Sequence, residues 1–73
     1  MEIKDISGVY NIGKRRFVVN GEYLEAINVY EWTFDEVDEN NKGVLGNGHG
    51  NFYTNEIPYM SEIFDKLMEA IGR

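Results

Sequence analysis

The chain has one histidine, His49. Its imidazole is the side chain best suited to catalysis or metal binding, because it can act as a general base or a metal ligand near neutral pH. A general base needs a nucleophile nearby, and neither serine, Ser7 or Ser61, stands in a recognisable nucleophile motif. The chain has no cysteine, and the spacing between His49 and the acids is not that of a metal motif. We therefore predict no catalytic residue, no metal and no cofactor, and keep an enzyme or small-ligand protein that uses His49 as the third alternative.

Alternate glycines surround His49 in the segment 46–51, which reads Gly-Asn-Gly-His-Gly-Asn. A phosphate-binding loop needs a strand, a glycine-rich turn and a helix N-terminus in direct succession, and a P-loop also needs a Lys-Ser or Lys-Thr pair. The sequence offers neither arrangement, so nucleotide binding is not predicted. Alternate glycines share one face of a strand, and we expect them to make room there for a bulky group or a second backbone.

Residues 22–39 carry the strongest charge signal, with seven acids and no base. Over the whole chain 13 acids outnumber 7 bases, which gives a net charge of −6 and too few bases for a nucleic-acid-binding footprint. Such a negative surface attracts a basic site on another protein, and a DNA mimic that occupies a nucleic-acid-binding site is the extreme form. A solvated sheet face and a merely solubilising charge are the alternatives. The acids that we predict to contact a partner are Glu31, Asp35, Glu36, Asp38 and Glu39.

Three aromatic residues, Tyr30, Trp32 and Phe34, alternate along the same predicted strand and therefore share one of its faces. Such a stripe usually packs in the core. If the polar turn after this strand pairs Val37 with Val44, however, the aromatic residues face polar neighbours and resemble an interaction hot spot. A shift of one residue in that register reverses the outcome. Both interpretations stay open, and we include the three aromatic residues in the predicted partner-binding surface.

The dipeptide Asn20-Gly21 is the clearest turn signal, because both central residues of a type I′ hairpin turn need a positive φ. A two-residue turn there sets Val19 opposite Glu22. An earlier short strand and turn are expected over residues 9–14, which end in Asn-Ile-Gly-Lys. Two hairpins are therefore predicted in the first part of the chain.

Strand signals extend over residues 6–54. The alternation of the long middle strand is interrupted near Asn28, where we predict a bulge or bend. The polar cluster 38–43 predicts another turn, after which the chain returns as a further strand. These signals together predict a meander of about four antiparallel strands.

A helix is predicted over about residues 58–71, with Pro58 in its first turn and Asn55 or Ile57 near the cap. Its apolar face consists of Met60, Ile63, Phe64, Leu67 and Ile71. Strands followed by one helix predict a single α+β domain over residues 1–73, with the helix on one face of the sheet and the other face uncovered.

A non-enzymatic binding protein is the function that these features favour, acting as an inhibitor or modulator that occludes a basic site on a host or cognate protein. Small acidic domains without cysteine are typical of phage-encoded inhibitors and of bacterial immunity proteins. A homodimer joined by a sheet edge or by the uncovered face is the second alternative, since a core below about 80 residues is small. We expect a cytoplasmic location, no contact with a membrane and no direct contact with nucleic acid, because the chain lacks cysteine, a signal peptide and a long apolar run.

Overall fold

The computed structural model describes residues 2–72, and it contains a four-stranded antiparallel sheet followed by a helix. The strands lie side by side in chain order, so each pairs with the strand that precedes it. The predicted α+β meander with a C-terminal helix is confirmed, whereas a one-turn helix before the first strand was not predicted. The elements are α1 (Ile3–Ile6), β1 (Gly8–Ile12), β2 (Arg15–Leu24), β3 (Val29–Val37), β4 (His49–Thr54) and α2 (Met60–Ala70).

The first hairpin joins β1 to β2 through a two-residue turn at Gly13 and Lys14, as the sequence predicts. Gly13 has a φ of 62°, a conformation that glycine adopts without steric cost. The register sets Ile12 opposite Arg15, directly beside the turn. The turn therefore decides which residues of β2 face the core.

The second hairpin is not where the sequence predicts it, because Asn20 and Gly21 lie inside β2. Gly21 is opposite Trp32, and a Cβ atom on Gly21 would lie 2.4 Å from the Cζ3 atom of Trp32. This glycine therefore serves the close approach of a buried indole instead of a turn. The chain turns at residues 25–28, where Asn28 has a φ of 53°, so the bulge predicted there is a turn.

The core lies between one face of the sheet, called here the core face, and α2. The aromatic rings of Tyr10 and Phe64 join the two layers, with an edge-to-face contact at 5.0 Å between centroids. Aromatic rings supply much of the buried area, as a small core requires. The buried hydrophobic residues are Ile6, Tyr10, Ile12, Phe17, Val19, Trp32, Phe34, Ile63, Leu67 and Ile71.

The predicted face of α2 is largely confirmed, since Ile63, Leu67 and Ile71 are buried. Met60, the first residue of the helix, is the exception and is half exposed. The helix cap is Tyr59, not Asn55 or Ile57, and its N–H donates to the Glu62 carboxylate at 3.2 Å.

The N-terminal turn α1 is attached to β2 by one hydroxyl group. Ser7 Oγ donates to the carbonyl of Ile3 at 3.1 Å and accepts the N–H of Gly21 at 3.1 Å. The second bond extends the β1–β2 ladder beyond the end of β1. It also holds Ile3 over Gly21 and Trp32 on the core face.

The opposite face of the sheet, called here the open face, is not covered by either helix within residues 2–72. Alternation along each strand places charged, amide and aliphatic side chains there together. The residues on the open face are Val9, Asn11, Arg16, Val18, Asn20, Glu22, Leu24, Val29, Glu31, Thr33, Asp35, Val37, His49, Asn51 and Tyr53.

Candidate functional site

Two of the three aromatic residues predicted to contact a partner are part of the core. Trp32 is completely buried and Phe34 is 2% exposed, so neither can touch a partner while the fold is intact. The β3–β4 register explains the difference, because Trp32 lies opposite Phe52 and Phe34 opposite Gly50. The prediction that Trp32 and Phe34 bind a partner is therefore wrong, and the core interpretation is correct.

The register of this hairpin comes from its long connection. Val37 is bridged to Gly43, not to Val44, and β4 then pairs so that Trp32 lies opposite Phe52, three residues beyond the His49 of the polar-neighbour arrangement. A shift by an odd number of residues exchanges the two faces of a strand. The indole N–H of Trp32 then donates to Thr54 Oγ1 at 2.9 Å, so the buried ring keeps its hydrogen bond. Tyr30, the third predicted aromatic contact, is partly buried and packs at the margin of the core.

The end of the sheet where β4 begins, called here the paired end, uses its charges internally. Arg15 donates two hydrogen bonds to the Glu36 carboxylate, at 3.1 and 2.7 Å, and a third to the amide oxygen of Asn47 at 2.9 Å. Asn47 in turn donates to the carbonyl of Ile71 at 2.8 Å, which joins the loop to the end of α2. The guanidinium group lowers the pKa of Glu36, and the side chain of Glu36 is only 15% exposed. Glu36, which was predicted to contact a partner, is thus paired with Arg15 of the same chain.

His49 belongs to the same end. Its Nδ1 atom lies 3.0 Å from the Asp35 carboxylate, and its Nε2 atom is hydrogen-bonded to the carbonyl of Val44. Both partners are acceptors, so the imidazolium form, which donates from both nitrogens, satisfies the site best. The Val44 carbonyl is the main cause that raises the pKa of His49, and Asp35 adds to it. A general base or metal ligand needs a free nitrogen lone pair, and this arrangement does not leave one.

The acids of the turn 38–43 divide into one structural and one free carboxylate. Asp38 accepts the backbone N–H groups of Asn40 at 2.8 Å and Lys42 at 3.0 Å, and so holds the turn. Glu39 is exposed, and no basic side chain that the structure describes forms an ion pair with it. Of the five predicted acids, Asp35 and Glu36 therefore have a basic partner within the protein, and Asp38 has backbone partners.

The other end of the sheet, where β2 turns into β3, carries two glutamates in direct opposition. Glu22 and Glu31 are register partners across β2 and β3, and both side chains point to the open face. No basic side chain among residues 2–72 forms an ion pair with either glutamate. Like charges directly opposite each other on neighbouring strands destabilise a sheet. The fold therefore keeps an unfavourable charge pair on its uncovered face.

Tyr53 and Asn51 hold one of these carboxylates in place. The Oε2 atom of Glu31 accepts from the Asn51 amide at 2.9 Å and from the Tyr53 hydroxyl at 3.3 Å. Both donors are neutral side chains, so neither forms an ion pair with Glu31. The Tyr53 side chain itself is 54% exposed. It presents an aromatic ring and a fixed carboxylate side by side.

We call this region the acid–tyrosine surface, and it consists of Glu22, Leu24, Val29, Glu31 and Tyr53. Only Glu31 belongs to the contact residues predicted from the sequence. Glu22 lies in the predicted acidic run, but its opposition to Glu31 depends on the true position of the β2–β3 turn. The ring of Tyr53 is placed there by the β3–β4 register, and no local sequence signal announces it.

The rest of the described chain offers little other chemistry. Residues 2–72 contain no group of three or more His, Cys, Asp or Glu side chains that could hold a metal ion. Neither helix in that range is long and apolar enough to cross a membrane. Comparisons with protein-family models, with curated proteins and with solved structures gave no match.

Proposed function

We propose that this chain is a small acidic, non-enzymatic binding protein that contacts a basic surface of another protein through the acid–tyrosine surface. The observation that carries the proposal is the opposition of Glu22 and Glu31, which lack a basic partner within residues 2–72. A local conflict of this kind, retained in an otherwise consistent fold, is typical of a functional site. A cationic group of a partner bound between the two carboxylates would remove the repulsion.

The chemistry of the surface indicates which partner group fits it. An arginine guanidinium group can bind a carboxylate with two parallel hydrogen bonds, and Glu31 is already oriented by Asn51 and Tyr53. Tyr53 supplies a half-exposed aromatic ring, and tyrosine and arginine are both enriched at interaction hot spots. Leu24 and Val29 are partly buried and supply aliphatic contact beside the charges. We therefore propose arginine or lysine with an apolar neighbour as the recognised feature.

Occlusion is the mode of action that we propose for this contact, as in inhibitors of host enzymes and immunity proteins. The net charge of −6 accelerates association with a basic site through long-range attraction. A nucleic-acid-binding site is one such target, and in that case the two carboxylates take the place of phosphates. The proposal gives no catalytic role to His49, since both of its ring nitrogens are hydrogen-bonded to the protein. It also includes a cytoplasmic location, where a basic target of this kind would be met.

The experiment compares capture of partners from a lysate of the natural host by three tagged proteins. They are the wild type, the double variant Glu22→Lys with Glu31→Lys, and a control in which Asp65→Lys and Glu69→Lys change the exposed side of α2. Both double variants alter the net charge by the same amount. We expect a stoichiometric partner with the wild type and the control, and its loss with Glu22→Lys and Glu31→Lys.

Two results would overturn the proposal. Equal recovery of the same partner by all three proteins would show that the acid–tyrosine surface is not the contact. Recovery of nothing by the wild type would remove the binding function itself. If a partner is recovered, its association rate with the wild type must fall as the salt concentration rises, because steering between opposite charges is screened.

A further inference from the structure

The outer edge of β4 differs from the rest of this acidic chain because the strand contains no Asp, Glu, Lys or Arg, and its histidine, His49, is already paired with Asp35 of the same chain. Residues 44–55 contain no Asp, Glu, Lys or Arg, whereas such residues make up 27% of the chain. β4 is the last strand of the sheet, and no other strand of the described residues pairs with its outer side. Edge strands of soluble proteins usually carry a charge, a proline or a bulge that prevents further pairing. β4 contains no proline, no bulge and no Asp, Glu, Lys or Arg, and the side chain of His49 is bonded to Asp35 and to the carbonyl of Val44 within its own chain.

The backbone of β4 is oriented for pairing at three positions. The N–H of Glu36 donates to the carbonyl of Gly48 at 2.8 Å, which identifies this pair as a hydrogen-bonded one. Hydrogen-bonded and non-bonded pairs alternate along an antiparallel ladder, so the even-numbered residues of β4 bond to β3. The N–H and C=O groups of His49, Asn51 and Tyr53 consequently point away from the sheet.

We infer that β4 pairs with β4 of a second copy of this chain, antiparallel and centred on Asn51. The three outward-pointing residues are spaced so that they match themselves after a two-fold rotation. Asn51 then lies opposite Asn51 of the second copy, and His49 lies opposite Tyr53. Each of these pairs exchanges two backbone hydrogen bonds, and the two sheets become one sheet of eight strands.

The distribution of charge explains why a second acidic copy fits this edge. Each copy carries a net charge of −6, so two copies repel wherever their acids meet. The acids that lie directly opposite the open-face residues of β4 are Glu31 and Asp35 of β3, and pairing through β4 separates the two β3 strands by about 14 Å, three strand spacings. This distance exceeds the Debye length of about 8 Å at physiological salt. β4, which contains no acid, therefore acts as a spacer between the acids of the two β3 strands.

The other edge strand, β1, is less suited to the same contact. Its outward-pointing residues are only Val9 and Asn11, because Gly8, Tyr10 and Ile12 bond to β2. Lys14 follows directly in the turn, so a symmetric contact there brings like charges closer. β1 supplies instead a matched control, since Asn11 and Asn51 are both exposed edge asparagines on the open face.

The experiment measures the mass of the full-length chain by sedimentation from about 5 to about 500 µM, a range suited to a small interface. We expect a monomer–dimer equilibrium for the wild type. Asn51→Pro removes an outward N–H that the β3–β4 ladder does not use, and should weaken dimerisation at least about tenfold. Asn11→Pro makes the same change on β1 and should leave the dimer constant unaltered. A wild type that stays monomeric over the whole range overturns the inference, as does Asn51→Pro that dimerises like the wild type.

A second measurement on the unmodified protein guards against a proline variant that does not fold. Amide hydrogen exchange at Asn51 and Tyr53 should become slower as the protein concentration rises, whereas exchange at Val9 and Asn11 should not change. Equal exchange at low and high concentration at all four amides contradicts the pairing. The inference is independent of the proposed function, because Glu22→Lys with Glu31→Lys should leave the dimer intact while it removes the partner.

Discussion

The two ends of the sheet use their charged residues in opposite ways. At the paired end, Arg15 binds Glu36 with two hydrogen bonds, and His49 bonds both to Asp35 and to a backbone carbonyl. At the end formed by the β2–β3 turn, Glu22 lies opposite Glu31, and neutral donors alone contact the latter. The same sheet thus pairs its carboxylates with basic groups at one end and leaves two carboxylates without a basic partner at the other.

This difference separates charges that hold the fold together from charges that remain available to a partner. Neutralising a carboxylate at the paired end removes a favourable contact and should destabilise the protein. Neutralising a carboxylate of the acid–tyrosine surface removes a repulsion and should stabilise it. A functional surface often costs stability in this way. We therefore expect the same Glu→Gln substitution to lower the free energy of unfolding at the paired end and to raise it at the acid–tyrosine surface.

Poor packing beneath Glu22 would be a simpler reason for unpaired charges, and Gly21→Ala tests it. A Cβ atom on Gly21 would lie 2.4 Å from Trp32 and 2.7 Å from Ile3, so we expect a loss of about 2 kcal/mol in the free energy of unfolding. Urea denaturation measures this loss. The control is Gly43→Ala, whose Cβ meets no atom within 4 Å and which should change stability by less than about 0.5 kcal/mol. Equal stability of the two variants would mean that this end is loosely packed.

Glu36→Gln tests the paired end. It replaces a charged acceptor of Arg15 by a neutral amide, and we expect the free energy of unfolding at pH 7 to fall by about 1 kcal/mol. Glu39→Gln is the control, because the Glu39 side chain is exposed and should tolerate the change. Because Arg15 lowers the pKa of Glu36, the stability gained from this pair is present above the ordinary carboxyl pKa and is lost as the pH falls through the lowered value. A variant as stable as the wild type would remove the contrast between the two ends.

Glu22→Gln tests the acid–tyrosine surface and should change the free energy of unfolding in the opposite direction. We expect the free energy of unfolding to rise by about 0.5 kcal/mol at low salt, because the repulsion from Glu31 is lost. High salt should reduce the difference between the variant and the wild type, since it screens exposed charges. Glu69→Gln on α2 is the control for a general effect of net charge. A loss of stability in Glu22→Gln would show that this carboxylate has a favourable contact in the fold.

The smallest effect concerns the protonation of His49. The Val44 carbonyl and Asp35 raise the pKa of His49 above 6.5, and an NMR titration of the ring should show this. A raised pKa contributes stability that is complete below the unfolded pKa and is lost as the pH rises through the folded pKa, so the protein should be slightly more stable at pH 6 than at pH 8. Asp35→Asn should lower the pKa of His49. A titration midpoint below 6.5 in the wild type would contradict the hydrogen bonds described for both ring nitrogens.

The helix, the first turn and the general architecture could be predicted because they depend on local patterns. Ile63, Leu67 and Ile71 recur at helical spacing, and all three are buried. Gly13 stands between two short apolar runs and adopts the positive φ that a tight turn needs. In these places the local conformational preference agrees with the tertiary packing, so the structure can be predicted from the sequence.

The position of the second hairpin could not be predicted, because a long-range contact overrides the local signal there. Asn20 and Gly21 suit a type I′ turn, yet the space beside Trp32 admits only a glycine. Moving the turn to residues 25–28 changes every pair along β2, and the opposition of Glu22 and Glu31 exists only in the true register. The candidate site could not be predicted for the same reason, because the turn was predicted at the wrong position.

The burial of the aromatic residues of β3 could not be predicted either, because it depends on the connection between β3 and β4. The alternation along β3 was compatible with a buried or an exposed aromatic face, and the β3–β4 register, with Trp32 opposite Phe52, decided between them. Gly48 adds to this choice, since a Cβ atom there would lie 2.4 Å from the Cβ atom of Glu36. Such close approach can be recognised only once the strands are paired.

The most direct test of the central claim measures stability and binding on one variant, Glu22→Gln with Glu31→Gln. We expect this variant to unfold at a higher urea concentration than the wild type, yet to bind the captured partner more weakly and with less dependence on salt. Unchanged affinity for that partner in the more stable variant would contradict the claim that these two carboxylates form the binding surface.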